Sequence, residues 1–312
     1  LLLMLLGYVV MDLRTQADVL SSTLSTRMLP ALAVSAACLV LNQLLMASRQ
    51  VLLQRHAGIA LPMADSVRIT FAGLFANNLM PAGISYDLTR LVYFRRYGEQ
   101  GAASVGGLVV LDRFLGLLGL STLALCAFTA LNQLYPDAVP GEASRLLLYA
   151  TLAPLPLGAV ILGLRHDSTF DFCSRLAGRL PLGGAAQNLL AGMRQFSARK
   201  RVLLLALAQA ALGHLCTVAG VACIAYGLFG QQAALGSILV SPLVFFASSI
   251  PVTPSNLGWT ETVAGAMWAV FGLSGGLVIF LLWRMVSMFV SLVGCAAYLN
   301  LRAQSAQRSK AS

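Results

Sequence analysis

Two arginines lie deep inside long apolar runs of the sequence. Arg113 is ten residues into the run 103–131, and Arg284 is nine residues into the run 275–300. At about 1.5 Å per helical residue, each would lie near the centre of a bilayer if its run crossed a membrane. A guanidinium group there costs at least about 2.5 to 3.5 kcal/mol, so it should face the protein interior and have a partner. Because arginine donates two parallel hydrogen bonds, it suits an anion such as phosphate.

Three carboxylates offer a structural alternative, in which the arginines only brace helices. Asp87 precedes Arg90 by three residues, so the two can pair on one helix face. Asp112 is adjacent to Arg113 and cannot point the same way on a helix, so we expect it to have its own partner. Glu261 lies at the predicted start of a helix, where the positive end of the dipole favours an acid as a cap. Ion or substrate chemistry remains open for each acid.

Two pairs of small polar residues each precede a proline in apolar surroundings: Asn77 with Asn78, and Ser248 with Ser249. Their side chains can satisfy the carbonyl groups that are freed where a helix breaks. The same side chains can also point at a ligand. The full set of candidate substrate-binding residues is Asn77, Asn78, Asp87, Arg90, Asp112, Arg113, Ser248, Ser249, Glu261 and Arg284.

The composition favours an integral membrane protein. Of 312 residues, 58% are hydrophobic and 10% are charged, with a mean hydropathy of +0.80. A soluble domain would need far more surface charge. The net charge is +10, but the basic residues flank apolar runs, which indicates a membrane surface rather than nucleic acid. We find no catalytic motif, nucleotide-binding loop or metal-ligand spacing. We therefore expect no enzyme activity, no cofactor, no metal and no nucleic-acid partner.

Long apolar runs predict an all-α polytopic fold. A helix needs about 20 apolar residues to cross a bilayer. The run 1–11 is too short, so we expect the given sequence to begin inside its first span. We predict about six transmembrane helices, at 1–11, 28–48, 103–131, 145–164, 202–229 and 275–300.

Two pairs of shorter apolar stretches predict re-entrant helical hairpins. The stretches 67–80 and 88–97 are separated by Pro81-Ala82-Gly83, and the stretches 234–250 and 260–271 by the sequence PVTPSNLG. Each is too short to cross, and proline ends helices, so each pair should enter and return on one side. Irregular backbone at membrane depth needs protein or water around it, so the breaks should face an internal cavity.

The two hairpins also resemble each other. The sequence FANNLMP at 75–81 matches FASSIP at 246–251, and each is followed by an acid and then by an arginine in an apolar run. The interval from Phe75 to Arg113 equals that from Phe246 to Arg284, 38 positions in each. Three crossings separate the hairpins, which predicts opposite insertion and therefore an inverted repeat, a signature of transporters. We predict one membrane-embedded unit over 1–312, with repeats at about 28–131 and 202–300.

The distribution of basic residues predicts the orientation. Most basic residues fall on one face when the spans are threaded alternately, and the positive-inside rule makes that face cytoplasmic, with both termini there. The segment 166–201 mixes aromatic and aliphatic residues with arginines, so we predict surface helices in the cytoplasmic headgroup layer, with a solvated loop as the alternative. The basic face carries Arg49, Arg55, Arg68, Arg90, Arg95, Arg96, residues 165–201, Arg302, Arg308 and Lys310, and the other face Arg14, Arg27 and Arg145.

Taken together, these motifs resemble the lysylphosphatidylglycerol synthase transmembrane family, also called flippase-like membrane proteins. The family has an Asn-Asn-x-x-Pro break, a Gly-Gly-Asp-x-x-Arg segment, an Asp-Arg pair in the next span, and later a proline before Gly-x-Gly-x-Arg-Glu. Ser85 and Tyr86 replace the glycine pair, and Thr260 stands where the family often has arginine, which leaves the substrate open. The matching residues are Asn77, Asn78, Pro81, Asp87, Arg90, Asp112, Arg113, Pro251, Gly258 and Glu261.

The resemblance implies movement of lipids between leaflets. We expect translocation of an anionic or modified lipid in a bacterial inner membrane, through a polar cavity between the hairpins. Membrane lipids would be the partners, with a lipid-modifying enzyme as a further candidate. Two alternatives stay open: a small-solute secondary transporter, and a non-transporting subunit of a lipid- or glycan-modifying assembly. The cytosolic aminoacyl-transfer domain of the full synthases does not occur within 1–312, so we expect no synthase activity.

Overall fold

The computed structural model describes residues 27–79, 84–94, 102–136, 141–179, 183–250 and 252–311. These ranges contain twelve α-helices, a short 3-10 helix at Pro254–Asn256 and no strand, which confirms the all-α prediction. The helices are α1 Met28–His56, α2 Met63–Leu79, α3 Ile84–Phe94, α4 Ala102–Leu134, α5 Gly141–Leu152, α6 Pro154–Gly163, α7 Asp167–Gly178, α8 Gly183–Ser197, α9 Lys200–Phe229, α10 Gln231–Ser248, α11 Trp259–Val270 and α12 Gly276–Ala311.

Five of these helices are long and apolar enough to cross a membrane: α1, α4, α9, α10 and α12. The number rises to six if Leu147–Gly163 and Asp167–Gly178, which meet at a bend of 119°, are counted as one span. The chain is therefore a multi-pass membrane protein. The predicted first span at 1–11 and the turn at Pro81 to Gly83 lie outside the described residues.

Two predicted stretches differ from the structure. The stretch 145–164 is interrupted at Ala153, between α5 and α6, because Pro154 and Pro156 have no N–H group to continue the helical hydrogen bonds. Helix α10 begins at Gln231 rather than at 234, directly after Gly230, whose positive φ of 82° ends α9. From its apolar stretch alone, 234–250 was predicted to be too short to cross a membrane. Helix α10 has 18 residues and is long enough to cross one, contrary to that prediction.

The helices fall into two stretches with the same order of elements. In each, a long helix (α1 or α9) precedes a packed pair (α2 with α3, or α10 with α11), and a second long helix follows (α4 or α12). The packing between the stretches is reciprocal: α1 lies along α9, α2 packs against α12, and α10 packs against α4. Gly294 of α12 lies so close to α2 that a Cβ atom there would collide with the carbonyl oxygen of Phe71.

Separate apolar cores hold these elements. The largest core contains residues of α1, of α4 and of each helix from α9 through α12. Its Trp268 and Phe280 rings pack edge to face, with their centroids 5.7 Å apart. A second core, around Phe196 and Leu203, packs α8 against α4 and α9. Polar groups between α1, α3 and α4 lie outside both clusters, and these groups form the site described next.

The segment 166–201 forms two helices, α7 and α8, as predicted. Arg194 of α8 forms an ion pair with Asp167, and its guanidinium carbon lies 4.4 Å from the centre of the Phe170 ring. Phe172 and Leu176 expose most of their surface. This pattern fits helices at a membrane surface, and their location in the headgroup layer stays a prediction.

Candidate functional site

Asp112 of α4 is the buried centre of a charged cluster. Arg49 Nε on α1 donates to Asp112 Oδ1 over 2.6 Å, and Arg90 Nη2 on α3 donates to Asp112 Oδ2 over 2.7 Å. All three side chains are at most 6% exposed. Charge-assisted bonds of this kind are stronger than neutral ones, so the cluster ties three helices together. Asp112 thus has its own partners, as the sequence predicted.

Asp87 and Arg113 form a second, more open pair. Arg113 Nε on α4 donates to Asp87 Oδ2 at the beginning of α3, and Arg90 Nη1 lies 3.6 Å from Asp87 Oδ1. The predicted contact between Asp87 and Arg90 on one helix face is therefore confirmed. The Arg113 side chain is 54% exposed, whereas that of Asp87 is 21% exposed and that of Arg90 only 1%.

Tyr86 positions the Arg90 guanidinium group from one side. The guanidinium carbon lies 5.4 Å from the centre of the Tyr86 ring, within the range of a cation–π contact. Gln50 Nε2 donates to the Tyr86 hydroxyl over 3.2 Å. A Cβ atom at Gly73 would lie 2.6 Å from Tyr86 Cδ2, so this ring requires a glycine on the facing α2. Tyr86 therefore fills the space between α2 and the charged cluster.

A cavity of about 670 Å³ opens beside this cluster. It is partly open to the outside of the protein and lies between α1, α2, α3, α4 and α9 and the loop that follows α10. Its polar and charged lining, within the described residues, consists of Asn42, Gln43, Arg49, Asn77, Tyr86, Asp87, Arg90, Asp112, Arg113, Gln209, His214, Ser249, Thr253, Ser255 and Asn256.

The second hairpin carries a closed ion pair. Arg284 Nε on α12 donates to Glu261 Oε1 on α11, while Arg284 Nη1 and Nη2 donate to the carbonyl oxygens of Ser255 at 3.1 Å and Asn256 at 2.9 Å. Glu261 Oε2 accepts from the backbone N–H of Gly258 over 2.9 Å, which confirms the predicted cap. Both side chains are mostly buried, at 15% and 2% exposure.

The two hairpins touch where their helices break. Ser255 Oγ, in the second hairpin, donates to the carbonyl oxygen of Asn77 at the end of α2 over 2.7 Å. The carbonyl groups freed at the end of α10 also find partners: Asn256 Nδ2 donates to the carbonyl oxygen of Ser248, and Ser249 Oγ donates to that of Phe246. We predicted that small polar side chains bond to the carbonyl groups freed at a helix break, and this prediction is confirmed for Ser249.

The ten residues predicted for the site separate into two groups. Six of them line the cavity: Asn77, Asp87, Arg90, Asp112, Arg113 and Ser249. The other four are outside its described lining: Asn78, Ser248, Glu261 and Arg284. Asn78 Nδ2 and Ser248 Oγ are buried with no hydrogen-bond partner in the described part of the chain. The predicted role of all ten in substrate binding stays a prediction.

Sequence reasoning missed several lining residues that are far apart in the chain. Arg49 counted only as a basic residue at a membrane face, yet it is 5% exposed and holds Asp112, because α1 continues past residue 48 to His56. Gln43 and Gln50 are two helical turns apart, and this spacing is the signal that could have indicated a polar face on α1. His214 is a further lining residue, and its Nε2 lies 3.0 Å from the carbonyl oxygen of Gly116.

The fold and the site define a multi-pass helical membrane protein with a charged cavity lined by α1, α2, α3, α4, α9 and the loop after α10. The family description "lysylphosphatidylglycerol synthase TM region" matches residues 1–294 of the chain. The chain belongs to this family, and the predicted resemblance is confirmed. Comparisons with curated proteins and with solved structures found no match. Membership of this family makes the chain a lipid-related membrane protein.

Proposed function

We propose that this protein moves lipids with an anionic headgroup between the leaflets of a bacterial inner membrane, through the cavity between the hairpins. The observation that carries the proposal is Arg113, a half-exposed arginine that lines a cavity of about 670 Å³ in a chain of apolar spans. An arginine inside a membrane protein is expensive to keep there, which favours a functional role. No covalent chemistry is part of the proposal.

The balance of charge along the cavity supports an anionic ligand. In its described lining, three guanidinium groups, those of Arg49, Arg90 and Arg113, face two carboxylates, those of Asp87 and Asp112. Among these described lining residues, the positive charges exceed the negative charges by one. Arg113 has five N–H donors, so it can keep its bond to Asp87 and hold a phosphate oxygen as well.

The arrangement of the helices supports a path for the rest of the lipid. We propose that the hairpins are re-entrant, with the headgroup in the cavity and the acyl chains in the surrounding bilayer. The reciprocal packing of the two halves fits a rocking motion of one half against the other, which would expose the cavity to each leaflet in turn. The proposed orientation keeps both termini in the cytoplasm, as the basic residues indicate.

The test is a leaflet assay in proteoliposomes. Phosphatidylglycerol with a fluorescent group on one acyl chain is bleached from outside by an impermeant reductant, and the protein should raise the bleached fraction above one half. We expect Arg113→Gln to slow this loss at least about tenfold, because the charge-assisted contact with phosphate disappears. Arg68→Gln is the matched control, since Arg68 forms an exposed ion pair with Asp65 outside the described lining. It should act like the native protein.

Three results would overturn the proposal. If the wild-type protein leaves the distribution of every anionic lipid unchanged but moves a soluble anion, the small-solute alternative is correct. If it moves neither and purifies with a stoichiometric partner enzyme, the non-transporting alternative is correct. Equal loss of translocation in Arg113→Gln and Arg68→Gln would remove the cavity from the mechanism.

A further inference from the structure

Helix α7 has an inward face and an outward face. On the inward face, Phe170 and Cys173 pack at the edge of the second apolar core, and Ala177 is buried. On the outward face, Phe172 and Leu176 leave 62% and 56% of their surface exposed. The inward face therefore holds α7 against the protein, and the outward face presents apolar side chains to the surroundings.

Two arginines share the outward face with these apolar side chains. Phe172, Arg175, Leu176 and Arg179 follow each other at i, i+3, i+4 and i+7, so they form one stripe along the helix. We name these four residues the outer stripe. All four are exposed, and Arg179 keeps helical dihedral angles directly after the last turn of α7. The outer stripe thus combines apolar surface with two positive charges.

Acidic residues do not balance the charge of this region. Asp167 lies on the side of α8, where it forms an ion pair with Arg194. Asp171 borders the outer stripe, and its backbone carbonyl oxygen accepts from Arg175 Nε over 3.3 Å. Over residues 165–201, seven arginines and lysines stand against two aspartates. The segment is therefore strongly positive, which suits an anionic surface.

The ends of the α7 and α8 pair are tied to the level of the lipid headgroups. Helix α9 has 30 residues and is thus about 45 Å long, which matches a bilayer with its headgroup layers. A span of that length places its first residue, Lys200, among the headgroups, and α8 ends three residues earlier, at Ser197. At the other end, α7 begins four residues after Gly163 and turns by 119° from the preceding apolar helices. The pair is therefore held along the membrane surface.

We propose that the outer stripe binds the anionic lipid surface that surrounds the protein. Phe172 and Leu176 lie at the boundary between headgroups and acyl chains, and Arg175 and Arg179 contact lipid phosphates. Interfacial helices combine these residue types because apolar burial and attraction to anionic lipids both favour binding. The long stem of arginine can cover apolar surface while its charged end reaches the phosphates. The proposal concerns lipid outside the cavity, so it does not depend on the proposed function.

The location of the outer stripe favours lipid over a protein partner. An acidic protein segment would also attract the two arginines. To reach them, it would have to displace headgroups from a helix pair whose two ends lie at the level of those headgroups. Lipid offers phosphates to the arginines and acyl chains to the apolar side chains at the same place. Lipid is therefore the occupant that we propose, and an acidic protein is an outcome of the test.

Helix α8 joins the outer stripe to the rest of the protein. Gln187 Nε2 of α8 donates to the carbonyl oxygen of Ser174 on α7 over 3.0 Å. On its other side, α8 lies directly against α4, because a Cβ atom at Gly107 would come within 3.2 Å of Gly192 Cα. Lipid bound at the outer stripe should therefore stabilise the folded protein, since a ligand that binds only the folded state shifts the unfolding equilibrium.

The first experiment measures how deeply the outer stripe enters the membrane, with the intact protein in nanodiscs. Phe172→Trp adds one tryptophan to the three of the native sequence. Phosphatidylcholine with bromine on the upper part of its acyl chains quenches a tryptophan that reaches the boundary below the headgroups. We expect the added emission to be quenched. The quenched fraction should rise at least about twofold with phosphatidylglycerol in the disc, because each arginine near an anionic surface favours binding about fivefold.

Variants assign the effect of phosphatidylglycerol to the arginines of the outer stripe. Arg175→Gln with Arg179→Gln, in the Phe172→Trp protein, removes both charges, so the rise with phosphatidylglycerol should disappear. Arg68→Gln is the matched control, because Arg68 is an exposed arginine of α2, and it should keep the rise. Leu176→Trp reports on the same stripe one turn further along the helix, and it should agree with Phe172→Trp.

A second readout is thermal unfolding in detergent. Added phosphatidylglycerol should raise the unfolding temperature of the native protein more than that of the variant with Arg175→Gln and Arg179→Gln, because only the native stripe gains a ligand. Lipid bound elsewhere affects both proteins, so the difference between them isolates the outer stripe. Neither readout involves translocation, so a failure of the proposed function would leave both expectations unchanged.

Four results would overturn the inference. Absence of quenching at both tryptophan positions would show that the outer stripe lies outside the membrane. Equal quenching with and without phosphatidylglycerol would remove the role of anionic lipid. Equal loss of the rise in the Arg68→Gln control would assign it to the overall charge of the protein. Emission that stays unquenched in every disc but shifts when polyglutamate is added would assign the surface to an acidic protein.

Discussion

Arg113 is 54% exposed and holds Asp87 at the edge of the cavity, whereas Arg284 is 15% exposed and holds Glu261 outside the described cavity lining. The two arginines occupy matching positions after matching motifs. Arg284 has donors from all three of its nitrogens committed to protein acceptors, namely one carboxylate and two carbonyl groups of the loop. Equal spacing in the sequence thus has two outcomes. Arg284 braces the second half, whereas Arg113 lines the cavity in the first half.

The residue before each arginine explains part of this difference. Asp112 precedes Arg113, and Trp283 precedes Arg284. Trp283 packs in the apolar core, with its ring centre 6.2 Å from that of Phe245. Asp112 instead needs Arg49 and Arg90, which bring polar groups from α1 and α3 into the first half. Asp112 therefore gathers a buried charged cluster in the first half, at the place where the second half has Trp283 in an apolar core.

The largest effect on stability should come from Asp112→Ala. It leaves Arg49 and Arg90 buried without their carboxylate, and breaking one buried pair already costs about 3 to 5 kcal/mol. We expect little folded protein by size-exclusion chromatography in detergent. Asp65→Ala is the control, because the ion-pair partner of Asp65 among the described residues is the exposed Arg68, and it should purify normally. A stable Asp112→Ala protein would show that the cluster is not needed to hold the first half together.

The next largest effect should come from Arg284→Gln. The change leaves the carboxylate of Glu261 buried, with the Gly258 N–H as its remaining partner, and frees the carbonyl groups of Ser255 and Asn256. We expect a loss of about 3 to 5 kcal/mol in unfolding free energy, measured by thermal unfolding in detergent. Arg68→Gln should stay within about 1 kcal/mol of the native protein. Similar unfolding temperatures for the two variants would rule out the brace.

A smaller effect should follow from Ser255→Ala, which removes the hydrogen bond between the hairpins. The Ser255 hydroxyl donates to the carbonyl oxygen of Asn77, so we expect a loss of about 1 kcal/mol in unfolding free energy. Ser249→Ala is the control, because the Ser249 hydroxyl donates to the carbonyl oxygen of Phe246 within its own helix end. If the two variants lose the same stability, the contact between hairpins adds nothing beyond a local bond.

Local patterns predicted much of the fold and some of the site. Apolar runs located the long helices, and the positions of Glu261 and of Asp87 with Arg90 predicted a helix cap and a helix-face pair that the structure has. These predictions succeeded because each depends on residues close together in the chain. The break at Ala153 was also readable in Pro154 and Pro156, and it was missed because the apolar run continues through it.

Contacts between distant residues could not be predicted in this way. Arg49 and Asp112 are 63 positions apart, and nothing in the local sequence says that α1 and α4 meet there. The cavity lining also combines residues of α1 and α9, which lie side by side only in the folded protein. The difference between Arg113 and Arg284 depends on such contacts, because only the folded loop brings the carbonyl groups of Ser255 and Asn256 to Arg284.

The smallest effect, and the sharpest test of the comparison, is a coupling energy measured for each acid and arginine pair. Two double-mutant cycles, with Asp87→Asn and Arg113→Gln in one and Glu261→Gln and Arg284→Gln in the other, isolate each pair from its surroundings. We expect about 0 to 1 kcal/mol for the first pair, because Arg113 is half exposed and an exposed pair contributes little. The closed second pair should couple by at least twice as much, since its charges are mostly desolvated.

Thermal unfolding of all six variants measures both energies. Equal coupling would mean that Arg113 is held by its acid as firmly as Arg284, and would overturn the difference between the two halves.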